Sequence, residues 1–247
     1  GVVGGKSGTI LATEDGGETW QARSSGPDRN LLAVSLASPQ KLWAVGDWGA
    51  VVYSEDGGQT WTDRSLKEDI VLTAVDFADE QHGIIAGEFG TVRFTQDGGA
   101  SFESPDVGTD KPFFGATMTS PDELWVVGID GLILRSGDRG RTWETKRGVL
   151  ETSSLEEIGF KEAIKNPGLY DISFSGSFGY VVGDIGMVLV SPDRGQTWME
   201  RKLPDEMSLF WFRGVSAAGD DRAIVVGANG LTASFEKDRI QLKERAG

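Results

Sequence analysis

The chain of 247 residues carries 24 Lys+Arg against 38 Asp+Glu, a formal net charge of −14, which argues against nucleic acid and anionic membrane surfaces, since both demand clustered cations. It has no Cys and a single His, so disulfides, thiolate metal sites, Cys nucleophiles and Cys/His zinc clusters are excluded, and triad chemistry would have to run through His82 alone. With 35 Gly, 8 Trp and 12 Phe it reads as a packed, turn-rich protein, and no run of about 18 apolar residues is present to span a membrane.

Taken in chain order, the elements repeat. Copies occupy about 1–24, 30–66, 71–105, 113–147, 168–202 and 211–245, and a short amphipathic helix with capping-box spacing (Ser153 to Glu156 or Ser154 to Glu157) is expected as an insertion over about 150–166. Within the second copy four strands, A to D, are expected at Leu31–Leu36, Leu42–Val45, Ala50–Ser54 and Thr60–Arg64, bounded by Gly, Pro and Asp clusters. Four antiparallel strands in about 40 residues make a propeller blade. The expectation is an all-β β-propeller, one domain over 1–247, with six repeats visible. The first copy opens on strand B, Val2-Val3. The reading favoured from this is that residues upstream of Gly1 are missing, a seventh blade and an export signal among them; the other is a three-stranded first blade.

Each copy but the last carries a [ST]-x-D-x-G-x-[TS]-[WF] turn between strands C and D. Its aspartates are Asp15, Asp56, Asp97, Asp138 and Asp193, and its aromatic positions are Trp20, Trp61, Phe102, Trp143 and Trp198. An aspartate there accepts hydrogen bonds from backbone N–H groups and a hydroxyl, the glycine supplies a positive φ, and the aromatic is expected to bury area against the sheet. These residues are read as fold staples and not as catalysts or calcium ligands.

Five such turns make the sequence resemble the BNR/Asp-box propellers. The fuller unit running from Leu42-Trp43-Ala44-Val45-Gly46 to Gln59-Thr60-Trp61 resembles the photosystem II stability/assembly factor family and its bacterial relatives. That resemblance implies a non-enzymatic propeller, exported to a periplasm or thylakoid lumen, which helps a membrane complex assemble. The family usually has seven blades. Its arginine-rich patch is matched only by Arg93 and Arg135 on C strands and Arg213 on an A strand, too scattered to claim as a patch.

Strand alternation places the D–A and B–C connections on one propeller face and the Asp turns, with acidic pairs such as Asp79-Glu80, on the other. The B–C turns are Lys6-Ser7, Asp47-Trp48, Glu88-Phe89, Ile129-Asp130, Asp184-Ile185 and Ala228-Asn229. Four successive turns pair a carboxylate with a large apolar residue, the composition of an interaction surface. With Met207, Phe210 and Trp211 of the last D–A connection as anchors, this face is expected to bind a protein partner in a membrane-associated complex. The alternative is a sialidase-like or other glycoside hydrolase on the same face, using Asp47, Glu88, Asp130 or Asp184, or a constellation of Tyr170, Asp171 and Arg213. No cofactor and no metal are expected.

Overall fold

The structure, a computed structural model, describes residues 1–148, 166–219, 221–236 and 239–243. The helix expected over about 150–166 lies, but for Asn166, outside the described residues. The protein is an all-β propeller, with six repeated antiparallel sheets among the described residues. Two compact units are distinguished: one takes Gly1–Leu124 and Gly137–Thr142, the other Trp125–Ser136 and Trp143–Gly247.

The first unit begins with β1 (Val2–Gly4), β2 (Thr9–Ala12) and β3 (Gln21–Ser24), three strands lacking an A strand. The second copy supplies β4 (Leu31–Leu36), β5 (Leu42–Gly46), β6 (Val51–Ser54) and β7 (Thr62–Asp63), within a residue or two of the expected spans. The third departs from expectation. Its sheet holds only β8 (Leu72–Phe77), β9 (Gly83–Gly87) and β10 (Val92–Thr95), and its D strand shrinks to one bridge between Phe94 and Glu103. Pro105 follows two residues later and has no N–H to extend a ladder. The fourth sheet comprises β11 (Phe113–Ser120), β12 (Glu123–Gly128), β13 (Ile133–Ser136) and β14 (Glu144–Arg147).

The fifth and sixth sheets lie in the second unit: β15 (Leu169–Ser175) to β18 (Met199–Glu200), through β16 (Phe178–Gly183) and β17 (Val188–Ser191), then β19 (Phe212–Ala217), β20 (Arg222–Gly227), β21 (Thr232–Glu236) and β22 (Arg239–Lys243). All five residues of β5 and of β9 are buried, as fits a B strand covered on both faces. In the sixth sheet, Ile224 and Val226 of β20 are exposed.

One feature of the A strands escapes the alternation argument. Register slips at the same point of β4, β8, β15 and β19, and the extra residue is Leu32, Thr73, Tyr170 or Arg213. A bulge opposes two residues to one and re-aims the side chain it adds. This is what puts Tyr170 and Arg213 where they are.

The Asp turns are staples, built the same way each time. In the second copy the Ser54 hydroxyl donates to Asp56 at 2.8 Å and accepts from the Gly58 N–H at 2.8 Å, while Asp56 accepts the Thr60 N–H at 2.9 Å and hydroxyl at 2.6 Å. Asp15, Asp97 and Asp193 repeat the scheme with Thr19, Ser101 and Thr197, and the Thr142 N–H and hydroxyl bond Asp138. The aromatic position packs on its own sheet, as Trp198 does against Phe174 of β15 at 5.8 Å, and also reaches the copy before it. Phe102 meets Trp43 of the second copy edge-on at 6.1 Å, and Trp198 meets Trp125 of the fourth copy at 6.1 Å. Trp61 packs on a cluster containing Ile10 of the first. The turn therefore stitches successive copies together. Trp20 stays 43% exposed and donates its indole N–H to Gly17 O.

The hydroxyls of Thr60, Ser101 and Thr197, first among the causes, hold Asp56, Asp97 and Asp193 down at about 2, with Asp15 lowered in the same way by Thr19. A carboxylate with a depressed folded-state pKa adds stability above the unfolded value and loses it as pH falls through the folded one. Thermal melts are expected to be flat above about pH 5 and to fall between about pH 4 and 2. Asp56→Asn with Asp97→Asn should flatten that slope; an unchanged slope would show that other carboxylates govern acid unfolding.

Candidate functional site

Every B–C turn is a two-residue hairpin loop. Trp48 (φ 55°, ψ 38°) and Gly49 (φ 64°) are both left-handed, and the Ala50 N–H donates to Asp47 O at 3.1 Å. Such a type I′ turn matches the twist of the flanking strands and favours Asn-Gly or Asp-Gly. The pairs Asp130–Gly131 and Asn229–Gly230 obey that preference. Trp48, Phe89 (φ 54°) and Ile185 (φ 53°) violate it. A bulky or β-branched residue in this region is an outlier costing about 1–2 kcal/mol.

Backbone on both sides holds these residues in place. The Asp47 N–H donates to Asn30 O at 3.0 Å and Gly49 to Ile70 O at 2.7 Å; in the fifth copy Asp184 donates to Gly168 O at 3.0 Å and Gly186 to Phe210 O at 2.7 Å. The glycine is obligatory because a Cβ at Gly90 would lie 1.9 Å from Thr109 O, and at Gly49 2.8 Å from Glu68 O. Strained side chains thus stand on an over-determined backbone, and they point into solvent: Phe89 is 73% exposed and Trp48 60%. Ile129 and Ile185 are exposed as well.

The carboxylates beside them brace the turns. Asp47 accepts from the Asn30 amide at 2.7 Å, Glu88 from the Val71 N–H at 3.1 Å, and Asp184 from the Tyr170 hydroxyl at 2.9 Å. Asn30 also accepts from the Ser7 N–H at 3.2 Å, so it links the first two hairpins.

In the second unit Ile129, Asp130, Asn166, Pro167, Gly168, Asp184, Ile185 and Trp211 line an open cleft of about 340 Å³. Below it the bulge residues meet. The Arg213 guanidinium sits 3.8 Å from the Tyr170 ring centroid and 5.7 Å from that of Trp211. Burial, and then the bond to Asp184, push the Tyr170 phenol up, which keeps its proton on and makes it a donor to the carboxylate. Asp171 is turned elsewhere, accepting the Val215 N–H at 2.8 Å as a brace between the fifth and sixth sheets.

Met207, expected among the anchors, does not reach the surface. It is wholly buried, packed with Val188, Phe212 and Val225, because a 3₁₀ turn over Asp205–Met207 folds it inward. The outward residues are Phe210, Trp211 and Leu209, the last 78% exposed. Among the arginines, Arg93 pairs with Glu68 at 2.9 Å and Arg135 lies over the Trp125 ring at 5.8 Å, each engaged within its own unit. His82 is tied to Asp79 of its own turn at 3.0 Å. Among the described residues no three His, Asp or Glu side chains gather to hold a metal, and no helix is long and apolar enough to cross a membrane.

The sequence profile described as photosynthesis system II assembly factor YCF48 matches residues 1–70 and 63–153. The photosystem II assembly lipoprotein Ycf48 of Synechococcus sp. (strain CC9902) is 28% identical over 127 residues, half of this chain and 34% of that protein. The chain spans about a third or less of the length of the curated relatives it matches. By fold it is similar to YCF48 from Cyanidioschyzon merolae (TM-score 0.55, 16% identity, 96% of this chain and 91% of that one) and to U3-55K (TM-score 0.73, 10% identity, 98% and 76%). Profile and repeat agree: the chain belongs to the photosystem II assembly factor YCF48 family.

Proposed function

We propose that the protein is a non-catalytic scaffold whose hairpin tips dock a protein partner, and that the partner is part of a membrane-associated complex under assembly. The observation that carries this is the placement of Trp48, Phe89 and Ile185 in left-handed backbone with their side chains exposed. A solvated turn gains nothing from a tryptophan or isoleucine there, whereas a docking surface gains an anchor presented rigidly. The name of the Synechococcus relative, an assembly lipoprotein, fits an exported protein working beside a membrane, in a periplasm or thylakoid lumen.

Site-specific photocrosslinking tests the reading. A photoreactive residue at position 48 or 89 is expected to trap one defined protein from detergent-solubilised membranes, and at Gln59 in the Asp turn to trap none. Equal trapping at 59, or none at 48 and 89, would remove the hairpin tips as the docking surface.

A further inference from the structure

Each copy but the last closes its C–D connection with an Asp turn. In the sixth copy Phe235 stands where the second has Ser54 and the third Thr95, the hydroxyls that bond the turn's aspartate, so the anchor is gone. Strands β21 and β22 pair up to Glu236 and Arg239, and residues 237–238 alone stand where the second copy has 54–61.

Elsewhere an Asp turn completes a groove on the copy before it. In the first unit Arg64, which follows β7, lies over Tyr53 and Trp43 and donates to Gly99 O of the next turn at 3.1 Å, while Phe102 of that turn meets Trp43. In the second unit Lys146 holds the matching place and donates to Gln196 Oε1 of the fifth turn at 3.5 Å. Arg201 follows β18 as Arg64 follows β7, but no Asp turn comes after it. Its guanidinium lies over the Phe235 ring at 5.1 Å and pairs with Asp221 at 3.5 Å, and its side chain is 13% exposed. Beside it Val190, Met199 and Ile240 line an open groove of about 420 Å³, within the range of ligand sites, roughly 300–1,000 Å³. Arg201 and Lys202 are balanced there by Glu200 and Asp221, so net charge selects nothing and hydrogen bonding and shape decide.

We infer that this groove binds a tight glycine turn of another protein, one that offers a backbone carbonyl to Arg201 and an aromatic side chain to Met199, Val190 and Ile240. A guanidinium has five N–H donors, more than one carboxylate at 3.5 Å can engage, and a turn carbonyl is what the matching Arg64 holds. Glycine is specified because close approach needs it: a Cβ at Gly99 would lie 2.2 Å from Trp43 Cη2. The aromatic supplies the apolar area that anchors the turn. This site is separate from the hairpin tips and does not depend on them.

Fluorescence anisotropy on the full chain tests it with a labelled peptide spanning residues 52–63, closed head to tail so that Asp56 can hold its turn. The peptide is expected to bind saturably, and Trp61→Ser or Gly58→Ala within it to weaken binding tenfold or more. In the protein, Arg201→Gln should weaken it about tenfold, the loss of a hydrogen bond from a charged donor. Met199→Trp fills the groove from its exposed wall and should abolish binding with Tm unchanged, which decides the matter even where Arg201→Gln disturbs folding. No binding of the parent peptide at about 1 mM, equal binding of the Trp61→Ser peptide, or undiminished binding to Met199→Trp would each overturn the site. In sedimentation the chain alone is expected to run as one species at every concentration. Self-association that Trp20→Ala abolishes would make a second copy the occupant, through its exposed first turn, and overturn the assignment to another protein.

Discussion

A Gly99→Ala variant is expected to unfold roughly 6–12 °C below the parent in thermal melts, against about 2–4 °C for Gly16→Ala. Both glycines sit at φ +76°, so both lose about 1 kcal/mol to backbone strain. They differ in what a Cβ would meet. At Gly16 nothing lies within 4 Å, whereas at Gly99 the Cβ would be 2.2 Å from Trp43 Cη2 and 2.4 Å from Cζ2.

Trp43 has no room to retreat. It is stacked on Tyr53 at 4.4 Å and Phe77 at 5.2 Å and met edge-on by Phe102, and the Arg64 guanidinium covers both Tyr53 and Trp43. Overpacking of this kind costs about 1–3 kcal/mol, which brings the total to about 3 kcal/mol. Gly195→Ala repeats the experiment in the second unit, where the Cβ would lie 2.2 Å from Trp125 Cη2. Equal losses for Gly16→Ala and Gly99→Ala would show that the Asp-turn glycine serves only its φ and not the contact with the preceding copy.

The repeat of about 40 residues and its paired glycines were enough to place β4 to β6 and the six two-residue hairpins, because glycine pairs and β-branched runs are local signals. What lay beyond reach was non-local or off-period. The partner of Phe102 is Trp43, on another copy, and no pattern within one repeat names it. The A-strand bulge adds one residue to a period of two, so alternation alone could not put Tyr170 against Arg213. A comparison of the four A strands aligned on their B strands would have shown the extra residue. Met207 was misplaced for another reason: a connection read only for its apolar composition hides a 3₁₀ turn, which sends one of its apolar residues inward. The exposed residues of the hairpins were legible because a two-residue loop has no interior in which to hide a side chain.

Trp48→Asn and Phe89→Asn should each make the protein more stable and a poorer binder. Asparagine is at home in the left-handed region, as Asn229 shows at the matching position with φ 60°. Relief of strain is expected to be worth about 1 kcal/mol per site, a rise of about 2–4 °C in Tm. Little burial is sacrificed, since Trp48 and Phe89 are 60% and 73% exposed. Partner binding should fall by about 30-fold or more for each, the loss typical of an aromatic anchor at the centre of an interface. The reverse substitution, Asn229→Phe, should lower stability by about 1 kcal/mol.

The opposite signs of the two effects separate function from packing. A residue kept for the fold loses stability when replaced, and a residue indifferent to both changes neither. If Trp48→Asn destabilises the chain, the indole is a packing element and the docking surface loses its first anchor. If it stabilises the chain and binding persists, the strain at this hairpin has some use other than recognition. Only greater stability together with weaker binding is consistent with a side chain held out against its own backbone preference for a partner to grip.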